Sequence, residues 1–349
     1  MINKFEITYS QSINQALDQM MHIDKNLIVF GLDVEDHNGI QGTTLGLKKY
    51  GKSRFFSTPL SEDSMTGVAI GAAAAGLKVV HVHIRMDFVL LAMNQIVNMA
   101  AKMRYMYNGQ VKVPLVIRCM VGRSWGQGPQ HSQSLASIFA HIPGLKVCAP
   151  SNPYDAKGLL ISAIQENCPV IFMEHRLLYE TKSFVPNKIY NIPIGLSRFL
   201  TKGKDITLVS NSHMSSICYK VAKILKKFNI EVELIDLRTI KPLDIKTILK
   251  SVKKTNKLLV VDNAWSFCGL SSEIISQVFL KNQSKSFIAD KITFLDVPCP
   301  TTPSLEKEFY PSPKKIIHKI INMLRIKKKI YLSEKDLSIK EIDNFRGPF

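Results

Sequence analysis

The chain has 349 residues and a mass of 39.3 kDa, a length that suits two domains of ordinary size. Hydrophobic residues make up 46% and charged residues 21%, a balance that excludes a disordered, collagen-like or mainly coiled-coil chain. No apolar run approaches the roughly 20 residues of a membrane span, and the N-terminus lacks the apolar core of a secretory signal. The composition therefore predicts a cytoplasmic protein.

The formal net charge is +18. Such a charge is typical of a protein that binds nucleic acid, acidic lipid or an acidic partner, but a general lysine bias among many Ile and Asn residues would produce it too. One basic cluster lies near the end of the chain: Lys314, Lys315, Lys319, Arg325, Lys327, Lys328 and Lys329. No aromatic residues interleave it, which argues against a single-strand nucleic-acid platform.

In the first half of the chain, short apolar runs alternate with helical patterns. The runs predict buried strands at 26–34, 113–121, 145–150 and 168–174, and the patterns predict helices at 13–21, 63–76, 88–107 and 153–166. The last of these helices opens with a capping residue followed by proline, a common helix start. Buried strands that alternate with helices favour an α/β fold with a mostly parallel sheet.

The pattern dissolves at 181–204, which we interpret as a linker, and then resumes. Strands are predicted at 205–211, 232–238, 256–264 and 292–298, and helices at 215–228, 244–252, 269–280 and 313–324. The predicted organisation is a first domain over 1–180, a second domain over 205–324, and a basic, charged tail over 325–349.

Two loops carry candidate functional residues. In STPLSEDSMTG, Glu62 precedes a helix of unusually small residues; it either serves chemistry or simply stabilises the helix N-terminus. The glycine-rich segment 122–129 follows a predicted strand and leads to His131, and loops at the carboxyl ends of strands are where open α/β sheets bind ligands. Spacing alone does not decide between a functional and a structural role for either residue.

The order of eight separated motifs resembles a known family. These motifs are STPLSE, GVAIGAAAAGLK, NQIVNMAAKMRY, QHSQS, FAHIPGLKV, APSNPYDAKGLL, DLRTIKPLD and DVPCPTTPSLE. From about residue 4 to 324 the chain resembles the β subunit of the E1 component of 2-oxo acid dehydrogenases (pyruvate dehydrogenase type), which are transketolase-like, thiamine diphosphate-dependent enzymes. The resemblance implies a pyrimidine-binding domain followed by a transketolase C-terminal domain.

The resemblance also implies roles for single residues. Glu62 stands where the family hydrogen-bonds N1′ of the cofactor's aminopyrimidine ring, a contact that favours the tautomer able to remove the thiazolium proton. Phe88 and Ile84 stand at cofactor-binding positions, with Phe88 against the pyrimidine. His131 is expected to assist proton transfer, or to hold the substrate carboxylate or the acyl acceptor.

The resemblance implies partner subunits, because this chain lacks one of the family's cofactor-binding motifs. The family holds the cofactor's diphosphate through Mg²⁺ with a GDG…NN motif on the α subunit, and this chain has no GDG. The resemblance therefore implies an α₂β₂ heterotetramer with a shared cofactor site, and an E2 lipoyl acyltransferase as a further partner. A potassium site formed by backbone carbonyls is expected at Ala163 and Ile164.

The departures from the family pattern concern Val82, Arg85 and Asn94, where the family has an acid, an aromatic residue and an aspartate. Arg85 would either hold an anionic substrate or pair with the partner subunit. The expected function is decarboxylation of a 2-oxo acid with transfer of the acyl unit to a lipoyl group. The alternatives are a free-standing α/β carboligase that transfers a two-carbon unit to an aldehyde or ketone, and a basic binding protein without catalysis.

Overall fold

A computed structural model describes residues 6–123, 126–282, 286–327 and 330–339. The chain divides into two compact units. The first contains the residues up to 122 and Gln133–Ile194, and the second contains Arg123–Ser132 and the chain from Gly195 onward. Ser124 and Trp125 of the glycine-rich segment, Lys328 and Lys329 of the basic cluster, and 340–349 of the tail lie outside the described residues.

A parallel sheet forms the centre of the first unit. The strands of this unit are β1 (Glu6–Thr8), β2 (Leu27–Gly31), β3 (Phe55–Ser57), β4 (Lys78–His83), β5 (Leu115–Val121), β6 (Lys146–Cys148), β7 (Val170–His175) and β8 (Lys182–Phe184). Six of them run parallel in the order β6-β7-β5-β4-β2-β3, while β1 and β8 form a separate antiparallel pair. The predicted α/β fold with a mostly parallel sheet is confirmed.

Helices cover this sheet. They are α1 (Tyr9–Ile23), α2 (Glu62–Ala74), α3 (Met86–Val89), α4 (Ala101–Met106), α5 (Ala136–His141) and α6 (Pro153–Ile164). Helix α1 begins with a capping box in which Thr8 and Gln11 satisfy each other's backbone N–H groups. Helix α6 begins where the Asn152 side chain accepts from the Asp155 N–H. The helices α1 and α6 pack together on the buried apolar face.

The single helix predicted over 88–107 is wrong. The chain there forms α3, a 3₁₀ turn at Leu90–Ala92, a π-helical stretch at Gln95–Ala100, and α4. The spacing of apolar residues determines which face of a helix is buried, but it does not determine the hydrogen-bond pattern of the backbone. In a π-helical turn each N–H bonds the carbonyl five residues before it instead of four. Before this stretch, β4 ends at His83 and α3 starts at Met86, so Arg85 lies in the turn between them.

The second unit has its own sheet. The strands of this unit are β9 (Arg198–Thr201), β10 (Ile206–Ser210), β11 (Val232–Asp236), β12 (Thr239–Lys241), β13 (Lys257–Val261) and β14 (Ile288–Ile292). Five of them form the sheet, in the order β14-β13-β10-β11-β9, and β9 runs antiparallel to β11 while the other pairs are parallel. The helices are α7 (Ser212–Lys226), α8 (Ile245–Thr255), α9 (Leu270–Lys281), α10 (Pro303–Phe309), α11 (Pro313–Met323) and α12 (Glu334–Leu337).

Two further sequence interpretations differ from the structure. The strand predicted at 292–298 is instead β14, which ends at Ile292 after pairing with β13. After this strand, the Phe294 side chain packs against the rings of Phe309 and Tyr310. This aromatic packing takes the place of further strand pairing. The segment interpreted as a linker, 181–204, contains β8 at one end and β9 at the other.

The described part of the tail packs on the second unit. Apolar side chains of Ile326, Ile330, Leu332 and Ile339 lie against the core formed with α7 and α11. The Lys220 ammonium on α7 donates to the backbone carbonyl of Lys335 at 2.9 Å. Two members of the basic cluster have acidic partners: Lys319 with Asp290 at 2.7 Å and Lys315 with Glu308 at 3.2 Å. None of the described helices is both long and apolar enough to span a bilayer.

Candidate functional site

The carboxyl edge of the first sheet holds most of the predicted site residues. Glu62 is the first residue of α2, shortly after β3, and is only 9% exposed. Within the described ranges its carboxylate has no hydrogen-bond or ion-pair partner. A carboxylate at the edge of a sheet that has no partner among the described residues is available to a ligand there.

The chain that follows β4 brings the next candidates to the same edge. Ile84 is half-buried against the core, and Arg85 is 9% exposed. Burial lowers the pKa of Arg85, an effect that the nearby Asp87 opposes. Phe88 is 38% exposed, so part of its ring faces away from the core. Of the other two departures, Val82 is buried in β4.

Asp87 orients this segment, a role that the sequence analysis missed. Its Oδ1 accepts from both the backbone N–H and the side-chain amide of Gln133, each at 3.1 Å. Burial raises the pKa of Asp87, and the two donors from Gln133 oppose the shift. In the motif QHSQS it is therefore the second glutamine, Gln133, that anchors α3. Asn94, by contrast, is exposed and accepts from Asn98 at 2.9 Å.

His131 belongs to the second unit. It ends a 3₁₀ turn, Pro129–His131, and is half-buried. The loop that carries it passes close to Thr301: a Cβ added to Gly128 would lie 2.5 Å from the Thr301 Cγ2, so only glycine fits there without displacing a neighbour. The backbone φ of Gly128, +71°, also favours glycine.

Arg123 fixes the start of this loop. Its guanidinium carbon lies 4.1 Å from the centre of the Tyr310 ring, and its Nε lies 3.9 Å from the Glu306 carboxylate. Burial raises the pKa of Glu306, while Arg123 opposes the increase. Arg123 lies in the glycine-rich segment and Glu306 ends the motif DVPCPTTPSLE, but no spacing in the sequence signals that these two residues meet.

A pair of buried histidines lies on β4 and contacts α2. The rings of His81 and His83 are 4.3 Å apart, edge to face. His83 Nε2 lies 3.3 Å from the hydroxyl of Thr66, one turn along α2 from Glu62. Burial lowers the pKa of His81 to about 4 and that of His83 well below its usual value, so both are neutral at pH 7.

The predicted potassium position lies at the end of α6, where Ala163 and Ile164 are buried. An open cavity of about 450 Å³ adjoins this helix end and is lined by Ser162, Gln165, Glu166 and Asn167 among others. The Ala163 carbonyl accepts from the Glu166 N–H at 3.2 Å. Among the described residues, no group of three or more His, Cys, Asp or Glu side chains is arranged to hold a metal ion.

Comparison with known proteins decides the family. Residues 5–182 match the transketolase pyrimidine-binding domain, and 195–316 match the transketolase C-terminal domain. The chain is 40% identical over 324 residues to the β subunit of acetoin:2,6-dichlorophenolindophenol oxidoreductase from Cupriavidus necator, covering 89% of this chain and 95% of the relative. It is 38% identical to the mitochondrial pyruvate dehydrogenase E1 component β subunit of Bos taurus, covering 92% and 91%.

The chain belongs to the transketolase-like family of dehydrogenase β subunits. A solved structure described as a split-gene transketolase, an inactive β₄ tetramer, superposes on this family member with a TM-score of 0.75, covering 92% of this chain and 100% of that one. At 20% identity this similarity establishes the transketolase fold alone. The family assignment predicted from the motifs is confirmed.

Proposed function

We propose that this chain is the β subunit of a thiamine diphosphate-dependent E1 component that acts on a 2-oxo acid and passes the acyl unit to a lipoyl group. It would work with an α subunit, since both relatives described above are named as β subunits. They are also named as an oxidoreductase and a dehydrogenase component, which favours this function over the two-carbon carboligase. The observation that carries the proposal is the buried, unpartnered carboxylate of Glu62.

The residues at the edge of the first sheet fit the aminopyrimidine ring of the cofactor. Glu62 would accept a hydrogen bond from, and share a proton with, the ring nitrogen N1′, which supplies the contact that its buried carboxylate lacks in the chain alone. Phe88, 38% exposed, would offer its face to the flat ring, and Ile84 would contribute apolar contact. Bound thiamine diphosphate supplies the thiazolium carbon that adds to the 2-oxo group.

His131 would hold a proton or the substrate carboxylate at the loop after the glycine-rich segment. Its half-buried position suits transfer to a bound ligand. The Arg123 contacts and the close approach of Gly128 to Thr301 restrict this loop, so the imidazole would be held in place before substrate binds.

The partner α subunit would supply the Mg²⁺ and diphosphate contacts, and an E2 lipoyl acyltransferase would accept the acyl unit. Carboxylate and carbonyl oxygens are the donors that Mg²⁺ prefers. A potassium ion bound by the carbonyls of Ala163 and Ile164 would neutralise the negative end of α6. A rise in the melting temperature of the α/β complex with KCl, but not with equal NaCl, would support the ion site; equal curves would contradict it.

Glu62→Gln in the reconstituted α/β enzyme tests the catalytic assignment. We expect turnover to be lost while association with the α subunit is retained, because only the N1′ proton contact changes. Asp63→Asn is the matched control. Asp63 is the exposed neighbour of Glu62, and its Oδ2 accepts a long hydrogen bond from the Gln95 side-chain amide at 3.5 Å. Activity of the Glu62 variant within about tenfold of wild type, roughly 1.4 kcal/mol of barrier, would contradict the role.

Purification of the tagged chain from its own cells tests the assembly. A stoichiometric partner that carries GDG…NN supports a shared cofactor site, and lipoylated E2 in the same peak supports the dehydrogenase. Carboligation by the purified pair without lipoyl groups would favour the two-carbon transferase instead. Elution of the chain alone would contradict the subunit assignment.

A further inference from the structure

The segment 299–310 lies against the His131 loop, whose described residues are Arg123 and 126–132, and both belong to the second unit. In the middle of the loop, a Cβ added to Gly126 would lie 2.6 Å from the Thr301 carbonyl oxygen. The same threonine approaches Gly128 through its methyl group. The backbone of the loop is therefore in close contact with this segment.

The ring of Tyr310 holds the start of the loop. Tyr310 follows the last residue of α10 and is 1% exposed. The Arg123 guanidinium carbon lies 4.1 Å from the centre of this ring, and a cation that is removed from water gains more from an aromatic face than an exposed one does. At 3.9 Å the Glu306 carboxylate attracts the guanidinium but is too distant for a hydrogen bond, so the ring supplies the closely fitted contact.

The hydroxyl group of Tyr310 is linked to the end of the loop. It lies 3.4 Å from the Cys299 sulfur, within hydrogen-bond distance for a thiol. Burial raises the pKa of this thiol, and the hydroxyl groups of Tyr310 and Ser132 oppose the increase because both lie beside the sulfur. Ser132 is 2% exposed and directly follows His131 in the chain. Burial also raises the pKa of Tyr310, so its hydroxyl keeps its proton at neutral pH.

We infer that Tyr310 is a positioning residue for His131. Its ring holds Arg123 at the start of the loop, and its hydroxyl contacts Cys299 beside the end of the loop. The inference rests on the proposed function, in which His131 holds a proton or the substrate carboxylate, and deepens it by naming the side chain that restricts where the imidazole lies. A loop held at both ends leaves the imidazole few alternative positions, so little ordering remains to be done when substrate binds.

Two substitutions in the α/β holoenzyme separate the two contacts. Tyr310→Phe removes only the hydroxyl and keeps the ring, whereas Tyr310→Leu removes both contacts. We expect kcat/KM for pyruvate to fall about threefold in Tyr310→Phe and about thirtyfold in Tyr310→Leu, since a displacement of about 1 Å at a reacting group costs up to about 100-fold. Tyr219→Phe removes a hydroxyl from α7 and is the matched control, which should keep the wild-type value.

The reaction of His131 with diethyl pyrocarbonate provides a readout that does not need turnover. Mass spectrometry of the modified peptides gives a separate rate for each of the nine histidines. We expect the rate at His131 to rise at least about threefold in Tyr310→Phe and further in Tyr310→Leu, because a released loop opens more often. The rate at the exposed His37 should stay the same in every variant and serves as the internal reference.

The two readouts distinguish the inference from the function on which it rests. If the wild type turns over no 2-oxo acid yet the His131 rates follow this pattern, the proposed function fails and the positioning by Tyr310 stands. A His131 rate in Tyr310→Phe equal to that of wild type would overturn the inference, even if the melting temperature or kcat/KM had fallen. Tyr310→Phe keeps the packing of the ring, so it decides the question if Tyr310→Leu does not fold.

Discussion

The buried ion pair in the first sheet makes a sharp prediction about stability. Arg118 on β5 and Glu174 on β7 are joined by two hydrogen bonds, of 2.5 and 2.9 Å, and their side chains are 2% and 1% exposed. The Tyr179 hydroxyl donates to the same carboxylate at 3.0 Å. Removing the negative charge by Glu174→Gln leaves a buried guanidinium without its counter-charge.

The expected loss follows from this geometry. Breaking a buried ion pair by removing one partner costs about 3–5 kcal/mol, and the amide that replaces the carboxylate preserves part of the hydrogen bonding, which favours the lower end, about 3 kcal/mol. In a unit of this size each kcal/mol shifts the melting temperature by about 2–4 °C, so we expect a decrease of about 6–12 °C. Urea unfolding and thermal unfolding, each followed by circular dichroism, measure the two quantities.

A compensated variant separates charge from packing. Arg118→Met, Glu174→Leu and Tyr179→Phe combined remove both charges and the hydroxyl that would lose its acceptor. Because apolar replacement of a whole buried pair is often neutral or stabilising, we expect the combined variant to be within about 1 kcal/mol of wild type. A loss below about 1 kcal/mol for Glu174→Gln alone would refute the reasoning, as would a combined variant no more stable than that single change.

Three further predictions concern other regions of the chain. The pKa of His81 is lowered from 6.5 to about 4, so the neutral ring stabilises the fold fully above pH 6.5, and this stabilisation is lost as the pH falls towards 4. The shift corresponds to roughly 3 kcal/mol. In His81→Leu the free energy of unfolding should therefore fall less steeply between pH 6.5 and pH 4 than in the wild type. Gly128→Ala should lower kcat at least tenfold with little change in α-subunit binding, since the Cβ collides with Thr301 and moves the His131 loop; unchanged kinetics would contradict that contact. Deletion of 327–349 should destabilise the second unit by about 2–3 kcal/mol and increase binding of an apolar dye, because it removes the half-buried Ile330, Leu332 and Ile339; an unaltered urea midpoint would show that the tail does not stabilise this unit.

Local pattern and motif order were sufficient for the architecture. Apolar β-branched runs that alternate with helical periods predict parallel strands because only a sheet covered on both faces buries such runs completely. The eight motifs led to the family and, through it, to Glu62, Phe88 and His131. These patterns and motifs each lie within a short stretch of the chain, so they can be recognised in the sequence without knowing which strands are neighbours.

Tertiary structure alone decided the pairings. The strand sequence VIRCMV contains Arg118 without any sign of its partner, and only the parallel register of β5 and β7 brings Glu174 beside it. The arginines at 85 and 176 are likewise 91 positions apart and come to one edge because β4 and β7 both pair with β5. Charges placed by separate strands have no shared spacing in the sequence, so their mutual position depends on strand order, which periodicity does not encode.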